Sequence, residues 1–127
     1  DAAGGLKEKI AKAISGGPMM GFAMYTTDTP ITKTSSSILC MSKDEVSACE
    51  PTACINCGRC VDACPSRIIP SRLADFAERH DEEAFLKFNG LECVECGSCS
   101  YVCPAKRQLK QAIGSMRKTA LANKKKK

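Results

Sequence analysis

Eight of the ten cysteines fall into two runs of one pattern. The first is "CINCGRCVDACP", with Cys54, Cys57, Cys60, Cys64 and Pro65; the second is "CVECGSCSYVCP", with Cys93, Cys96, Cys99, Cys103 and Pro104. Both read C-x2-C-x2-C-x3-C-P. Three thiolates so closely spaced can grip one iron–sulfur cube from a single loop. Gly58 and Gly97 let backbone amides turn toward cluster sulfides, and such hydrogen bonds help set the potential. The prolines are expected to start the next segment and help shed water. Where two runs occur together, the fourth cysteine of each ligates the other cluster. The expected sets are therefore Cys54, Cys57, Cys60 and Cys103 for one [4Fe–4S] cluster, and Cys93, Cys96, Cys99 and Cys64 for the other. Crossed ligation would stitch the two halves together. That matters because aromatic residues are only 5% of the chain and Trp is absent, which is thin material for an apolar core.

Other uses of these cysteines fit less well. A disulfide framework does not call for two equivalent runs. Structural zinc more often takes two separated C-x2-C pairs. A Rieske centre needs two histidines, and His80 is the only one, expected at the surface. Cys40 and Cys49 lie outside both runs and read as buried or partly buried free thiols. Arg59, Arg67, Lys106 and Arg107 flank or enter the cluster loops; each alone reads as a solvated charge, with balancing the anionic cluster or meeting an acidic partner as the alternative. Tyr101 reads as packing.

The stretch between the runs holds 28 residues, from 65 to 92, room for two short helices. Ser71 is a candidate cap for the first, with Leu73, Phe76 and Ala77 on one face. Asp81 is the candidate cap for the second, with Phe85, Leu86 and Phe88, and Asn89-Gly90 is its left-handed stop. The small core is expected here. After Pro104, Leu109, Ile113, Met116 and Ala120 recur at helical spacing, with Gly114 as a weak point. Upstream, residues 1–13 fit either a short helix on Leu6, Ile10 and Ile14 or a strand ending in a turn. "SGGP" and "MMGFAM" follow, reading as a tight turn with Met19, Met20 and Met24 as adaptable packing. Residues 26–37 read as extended chain or an edge strand, and Ser42 as the cap of a helical turn that Pro51 ends.

The net charge of +5 owes +4 to Lys124–Lys127, leaving the body near neutral. That tail reads as a solvated terminus, or weakly attracted to anionic lipid or an acidic partner. No aromatic interleaving supports nucleic-acid binding, and no apolar stretch is long enough to span a bilayer. Metal-binding thiolates need a reducing compartment, so the chain is expected in the cytoplasm. It opens with "DAAGG", without Met, so Asp1 is expected to be a cut inside a longer chain.

"ISGGPMMG", then "PITKTSSSIL", then two cysteine runs about thirty residues apart together resemble the C subunit of the Rnf complex, an ion-translocating ferredoxin:NAD oxidoreductase. The resemblance covers about residues 10–127, and the eight run cysteines match the family's cluster ligands position by position. It implies the C-terminal part of a longer chain whose upstream portion binds FMN and NAD(H) and includes a β-grasp domain. The implied fold is mainly α: a helical 2[4Fe–4S] ferredoxin domain over 41–123, preceded over 1–40 by an extended, β-containing remnant and linker, with 124–127 as the basic tail. "ISGGPMMGFAM" is then expected to be the seam between these parts. The implied partners are the membrane and iron–sulfur subunits of the complex and, through it, soluble ferredoxin, with peripheral attachment to the cytoplasmic side of the membrane. The alternatives are a helical ferredoxin component of a soluble enzyme, of the heterodisulfide-reductase or glycolate-oxidase type, and a metal-stabilised interaction domain without redox function.

Overall fold

The structure is a computed structural model and describes residues 4–5, 9–18 and 20–126. Leu6 and Met19 lie outside the described residues. The chain divides into two units, 1–49 and 50–127. Residues 41–49 thus group with the strand unit, whereas the sequence pattern set the boundary at 40.

The first unit is a three-stranded antiparallel sheet in the order β2-β1-β3, with β1 at Lys12–Ser15, β2 at Phe22–Met24 and β3 at Ile38–Met41. Of the ambiguous stretch at residues 1–13, the middle strand takes in Lys12 and Ala13 and runs to Ser15, so this part is extended chain rather than helix. Ala13 pairs with Met24 on one side and Cys40 on the other, and its side chain is buried. The glycine-methionine stretch closes the β1–β2 hairpin, so it lies within this unit and is not a seam between the two. Gly21 donates to the Gly17 carbonyl at 2.8 Å, and a Cβ on Gly21 would meet Ile14 and the Ser15 carbonyl at under 3 Å, which rules out a larger residue. Met20 is exposed rather than packed. Residues 26–37 carry no strand or helix and are pinned by local hydroxyl bonds such as Thr32 to Ser35. The expected helical turn after Ser42 is only a turn. Asp44, not Ser42, caps it, accepting from the Ser47 amide at 3.2 Å and pairing with Lys12 on β1 at 3.0 Å.

The second unit is helical. Its elements are α1 at Arg59–Asp62, α2 at Pro70–Glu78, α3 at Glu82–Lys87, a single 3-10 turn at Gly90–Glu92, α4 at Ser98–Tyr101 and α5 at Leu109–Lys126. The cysteine runs sit 39 positions apart (54 and 93), and the architecture repeats with the same offset. The loop, the one-turn helix α1 or α4, and the longer helix α2 or α5 begin at matching positions. This extends the duplication beyond the cysteines into the helices. The core forms where α2 packs along α5: Leu73, Phe85 and Ile113 are fully buried, with Ile68, Leu109 and Met116 around them. Phe76 and Phe88 meet in a tilted pair, ring centroids 5.0 Å apart and planes 53° apart, and Leu86 is exposed.

One expected cap is absent and another agrees. Ile69 precedes α2 and Pro70 begins it, so Ser71 is inside the helix; Pro there forfeits an amide that has no helical partner anyway. Asp81 does cap α3, its carboxylate accepting from the Ala84 amide at 3.0 Å. The Ser100 hydroxyl on α4 accepts from the Lys110 amide at 2.9 Å, satisfying a first-turn donor of α5. Lys124–Lys126 continue α5, so those residues are helix rather than a separate tail.

Candidate metal centre

Each cysteine run folds into a loop with left-handed residues at the same two places. They are Asn56 (φ 54°) and Gly58 (φ 77°) in the first, Glu95 (φ 56°) and Gly97 (φ 83°) in the second. Left-handed residues set among right-handed ones turn successive N–H groups toward one concavity, a geometry suited to anions and iron–sulfur centres. The Glu95 amide already donates to Cys93 Sγ at 3.4 Å. Glycine takes this conformation freely; at Asn56 and Glu95 a side chain bears it, at a cost on the order of 1 kcal/mol. A third matched pair, Arg67 (φ 51°) and Lys106 (φ 53°), bonds back to the Cys64 and Cys103 carbonyls and turns the chain into α2 and α5.

Cys54, Cys57 and Cys60 line one cavity of about 110 Å³, and the fourth cysteine on its wall is Cys103, from the other run. A backbone bond explains the meeting: the Thr52 amide donates to the Ala105 carbonyl at 2.9 Å, tying the chain before the first run to the chain after the second. Of the remaining residues, Cys93 lies within electrostatic reach of Cys64 and Cys96, and Cys99 within reach of Cys93 and Cys96. Burial pushes the Cys99 thiol up to about 11, and the neighbouring thiols add to the shift. Burial likewise raises Cys93, while the Ser98 hydroxyl and amide hold Cys96 below its ordinary value. Metal coordination supplies the free energy that deprotonates such thiols.

The two neighbourhoods differ in exposure. Cys54 and Cys57 are exposed, whereas Cys99 is buried in the core and Cys93 and Cys96 are half-buried. Cys60, Cys64, Cys93 and Cys103 all pack against the core side chains. Among the described residues no three Cys, His, Asp or Glu side chains converge on a single ion. Four thiolates of a cube need not do so, since each takes a different iron. The donor set, the Glu95 amide on Cys93 Sγ and the four-cysteine cavity wall all suit a four-iron cube.

Several residues read from sequence stand elsewhere than expected. Cys40 and Cys49 are both exposed, not buried. Tyr101 is 88% exposed and packs on little. Pro65 and Pro104 are not buried, so the water-excluding surface behind the cysteines is the α2–α5 core. His80 is at the surface, as expected.

Arg107 is the largest departure. It is not a solvated charge: its side chain is 12% exposed, lines the Cys54–Cys103 cavity, and donates through Nη2 to Asp75 at 2.8 Å and Glu78 at 2.9 Å. Burial works against its charge, but the two carboxylates more than offset this and hold it protonated. Sequence reasoning also missed Glu95, whose carboxylate meets Arg117 of α5 at 3.3 Å, while Arg117 Nε donates to the Leu91 carbonyl at 3.2 Å. Together they bracket the second loop onto α5, where Gly114 leaves room for the Glu95 side chain. Comparing the runs position by position would have exposed both, since Arg107 matches Ile68 and Glu95 matches Asn56.

Comparison with known proteins agrees with this geometry. Residues 53–107 match the model of a 4Fe-4S dicluster domain. The chain is 42% identical over 126 residues to the C subunit of the Na(+)-translocating ferredoxin:NAD(+) oxidoreductase complex of Acetobacterium woodii, covering 99% of this chain and 28% of that protein. It is 52% identical over 114 residues to the proton-translocating counterpart of Clostridium ljungdahlii, covering 89% of this chain and 25% of the relative. It is 44% identical over 113 residues to the C subunit of the ion-translocating oxidoreductase complex of Methanosarcina acetivorans, with the same coverage of 89% and 25%. The chain therefore spans about a quarter of the length of the curated relatives it matches. The dicluster match over the cysteine runs, and an identity of 42% that extends over 99% of the chain, establish that it belongs to the C-subunit family of Rnf-type ion-translocating ferredoxin:NAD oxidoreductases.

Proposed function

We propose that this chain is the electron-transfer module of an Rnf-type ferredoxin:NAD oxidoreductase, the C-terminal part of its C subunit. It relays electrons through two [4Fe–4S] clusters between flavin and NADH chemistry and the other subunits, coupled to ion translocation. In this reading FMN and NAD(H) bind the part of the parent chain outside these residues. The strand unit is the end of an upstream β-grasp region, and the helical unit is the ferredoxin domain. The assembly is an oxidoreductase and translocase. Its partners are the membrane and iron–sulfur subunits, and soluble ferredoxin through them. Attachment is peripheral, on the cytoplasmic side; among the described residues no helix is long and apolar enough to cross a membrane.

Bound clusters supply one-electron chemistry. The residues here hold and tune them, and none acts as a general acid, base or nucleophile. Cys54, Cys57, Cys60 and Cys103 hold one cluster, and Cys93, Cys96, Cys99 and Cys64 the other. Loop amides such as that of Glu95 donate to the thiolate sulfurs, and Leu73, Phe85 and Ile113 exclude water behind them. The observation that carries the reading is the shared wall of Cys103 with Cys54, Cys57 and Cys60.

The test is Cys103→Ala in the cluster-loaded chain, handled anaerobically and reduced with dithionite for EPR, with iron and sulfide counted. Its spectrum should match that of Cys57→Ala, each keeping the second-run cluster. A match to Cys96→Ala instead would overturn the crossed sets. Zinc in the unmutated chain, with no reducible signal, would overturn the redox reading itself.

A further inference from the structure

The repeat makes the two halves comparable residue by residue, and their differences fall on charge. Cys103, Pro104, Ala105 and Arg107 line the first-run cavity, while Cys64 lies within electrostatic reach of Cys93 and Ile68 packs in the same core cluster as Cys93 and Cys99. Lys106 and Arg67 occupy matched positions and carry the same charge, so they do not distinguish the two environments. One position later the match ends. Arg107 is the charged residue on the first cavity's wall, with only 12% of its side chain exposed, and its counterpart in the other half is the buried, neutral Ile68. Inside the loops the bias has the same direction. The first has Asn56 where the second has Glu95, whose amide donates to Cys93 Sγ and whose carboxylate, paired with Arg117, lies within electrostatic reach of Cys93. Exposure adds to it: two of the first set's cysteines are open to solvent, whereas the second set includes the buried Cys99.

Reduction adds negative charge to a centre that is already anionic. A nearby cation and access to water favour that step; a nearby carboxylate and burial oppose it. Asp75 and Glu78 on Arg107, and Arg117 on Glu95, soften each effect; what keeps the cation dominant at the first set is placement, since Arg107 lines the cavity wall and its two carboxylates do not.

Building on the proposed ligand sets, we infer that the two clusters are unequally poised. The one held by Cys54, Cys57, Cys60 and Cys103 has the higher potential, with Arg107 raising it and Glu95 lowering the other. At equilibrium the first electron then rests on the cluster whose set includes the solvent-exposed Cys54 and Cys57. Arg107 and Glu95 are tuning residues that act through the field at the thiolates.

The experiment is an EPR-monitored redox titration of the cluster-loaded chain and three variants, with iron counted in every sample. Two waves alone do not decide, because reducing one cluster also disfavours reducing its neighbour. Selective movement does. Arg107→Leu should lower only the higher wave, with the reduced-to-oxidised ratio at fixed potential falling about threefold or more. Glu95→Gln should raise only the lower wave. Arg107→Lys keeps the charge and should leave both waves near their original places, which separates charge from packing. Movement of the lower wave by Arg107→Leu, or of neither wave by both charge-removing variants, would overturn the unequal poise while leaving two loaded clusters in place. A count short of two cubes in the unmutated chain would overturn the ligand sets, and the poise with them.

Discussion

Gly90 shows how one position couples a turn to the core. Asn89 takes the left-handed conformation (φ 58°) that ends α3, and Gly90 is then buried directly against the Phe85 ring. A Cβ on Gly90 would overlap that ring. Gly90→Ala should therefore cost about 1–3 kcal/mol of stability through overpacking. The readout is the denaturant midpoint of the helical signal in the loaded chain, and an unchanged midpoint would show that the ring moves freely. The stop was legible in the Asn-Gly pair; its contact with Phe85 was not, because it depends on how α3 folds back. Asp44 is a second single-residue case. Hydrogen bonds from Ser47, and then Lys12, lower its carboxyl from 3.8 to about 2. A depressed carboxyl stabilises the folded state fully above its unfolded value, and that contribution fades as pH falls through the folded value. The side-chain carboxyl of Asp44 should accordingly titrate near 2 when followed by NMR, and an inflection near 3.8 would show the Ser47 and Lys12 bonds to be absent in solution.

Among the elements, α5 carries the most. Leu109, Ile113, Met116 and Ala120 all point into the helical unit and are buried, as the spacing of the apolar residues indicated. Ile113→Ala should lower stability by about 2–5 kcal/mol, since a fully buried side chain leaves a cavity where α5 meets α2. Anaerobic urea unfolding followed by circular dichroism measures this; a shift of only a few tenths would remove Ile113 from the core. The long helix was legible because its signal repeats over several turns. The short elements were less so. One-turn helices α1 and α4 give no periodic pattern, and Pro70 rather than Ser71 begins α2. Strand β1 was ambiguous for a different reason: its second partner, β3 at Ile38–Met41, lies well outside a local window, and pairing on both edges is what selects extended chain over helix.

At the scale of the whole chain, two units of different character succeed one another, and the helical one is an approximate repeat of itself. The cysteine spacing alone determined the kind of cofactor chemistry, because a ligand geometry of this sort is covalent and local, and spacing along the chain carries it. It likewise determined the pairing of two equivalent loops and, with "ISGGPMMG", the family resemblance that the relatives bear out; apolar periodicity determined the helix after the second loop. Only the tertiary structure brought Cys103 to the wall shared by Cys54, Cys57 and Cys60, since residues so far apart in sequence meet through the Thr52–Ala105 bond and the packing of α2 on α5. It alone turned Arg107 from a surface charge into a clamped cation, and exposed Cys40, Cys49 and Tyr101. Burial and charge pairing depend on which distant segments cover a side chain, and composition at one position does not encode that.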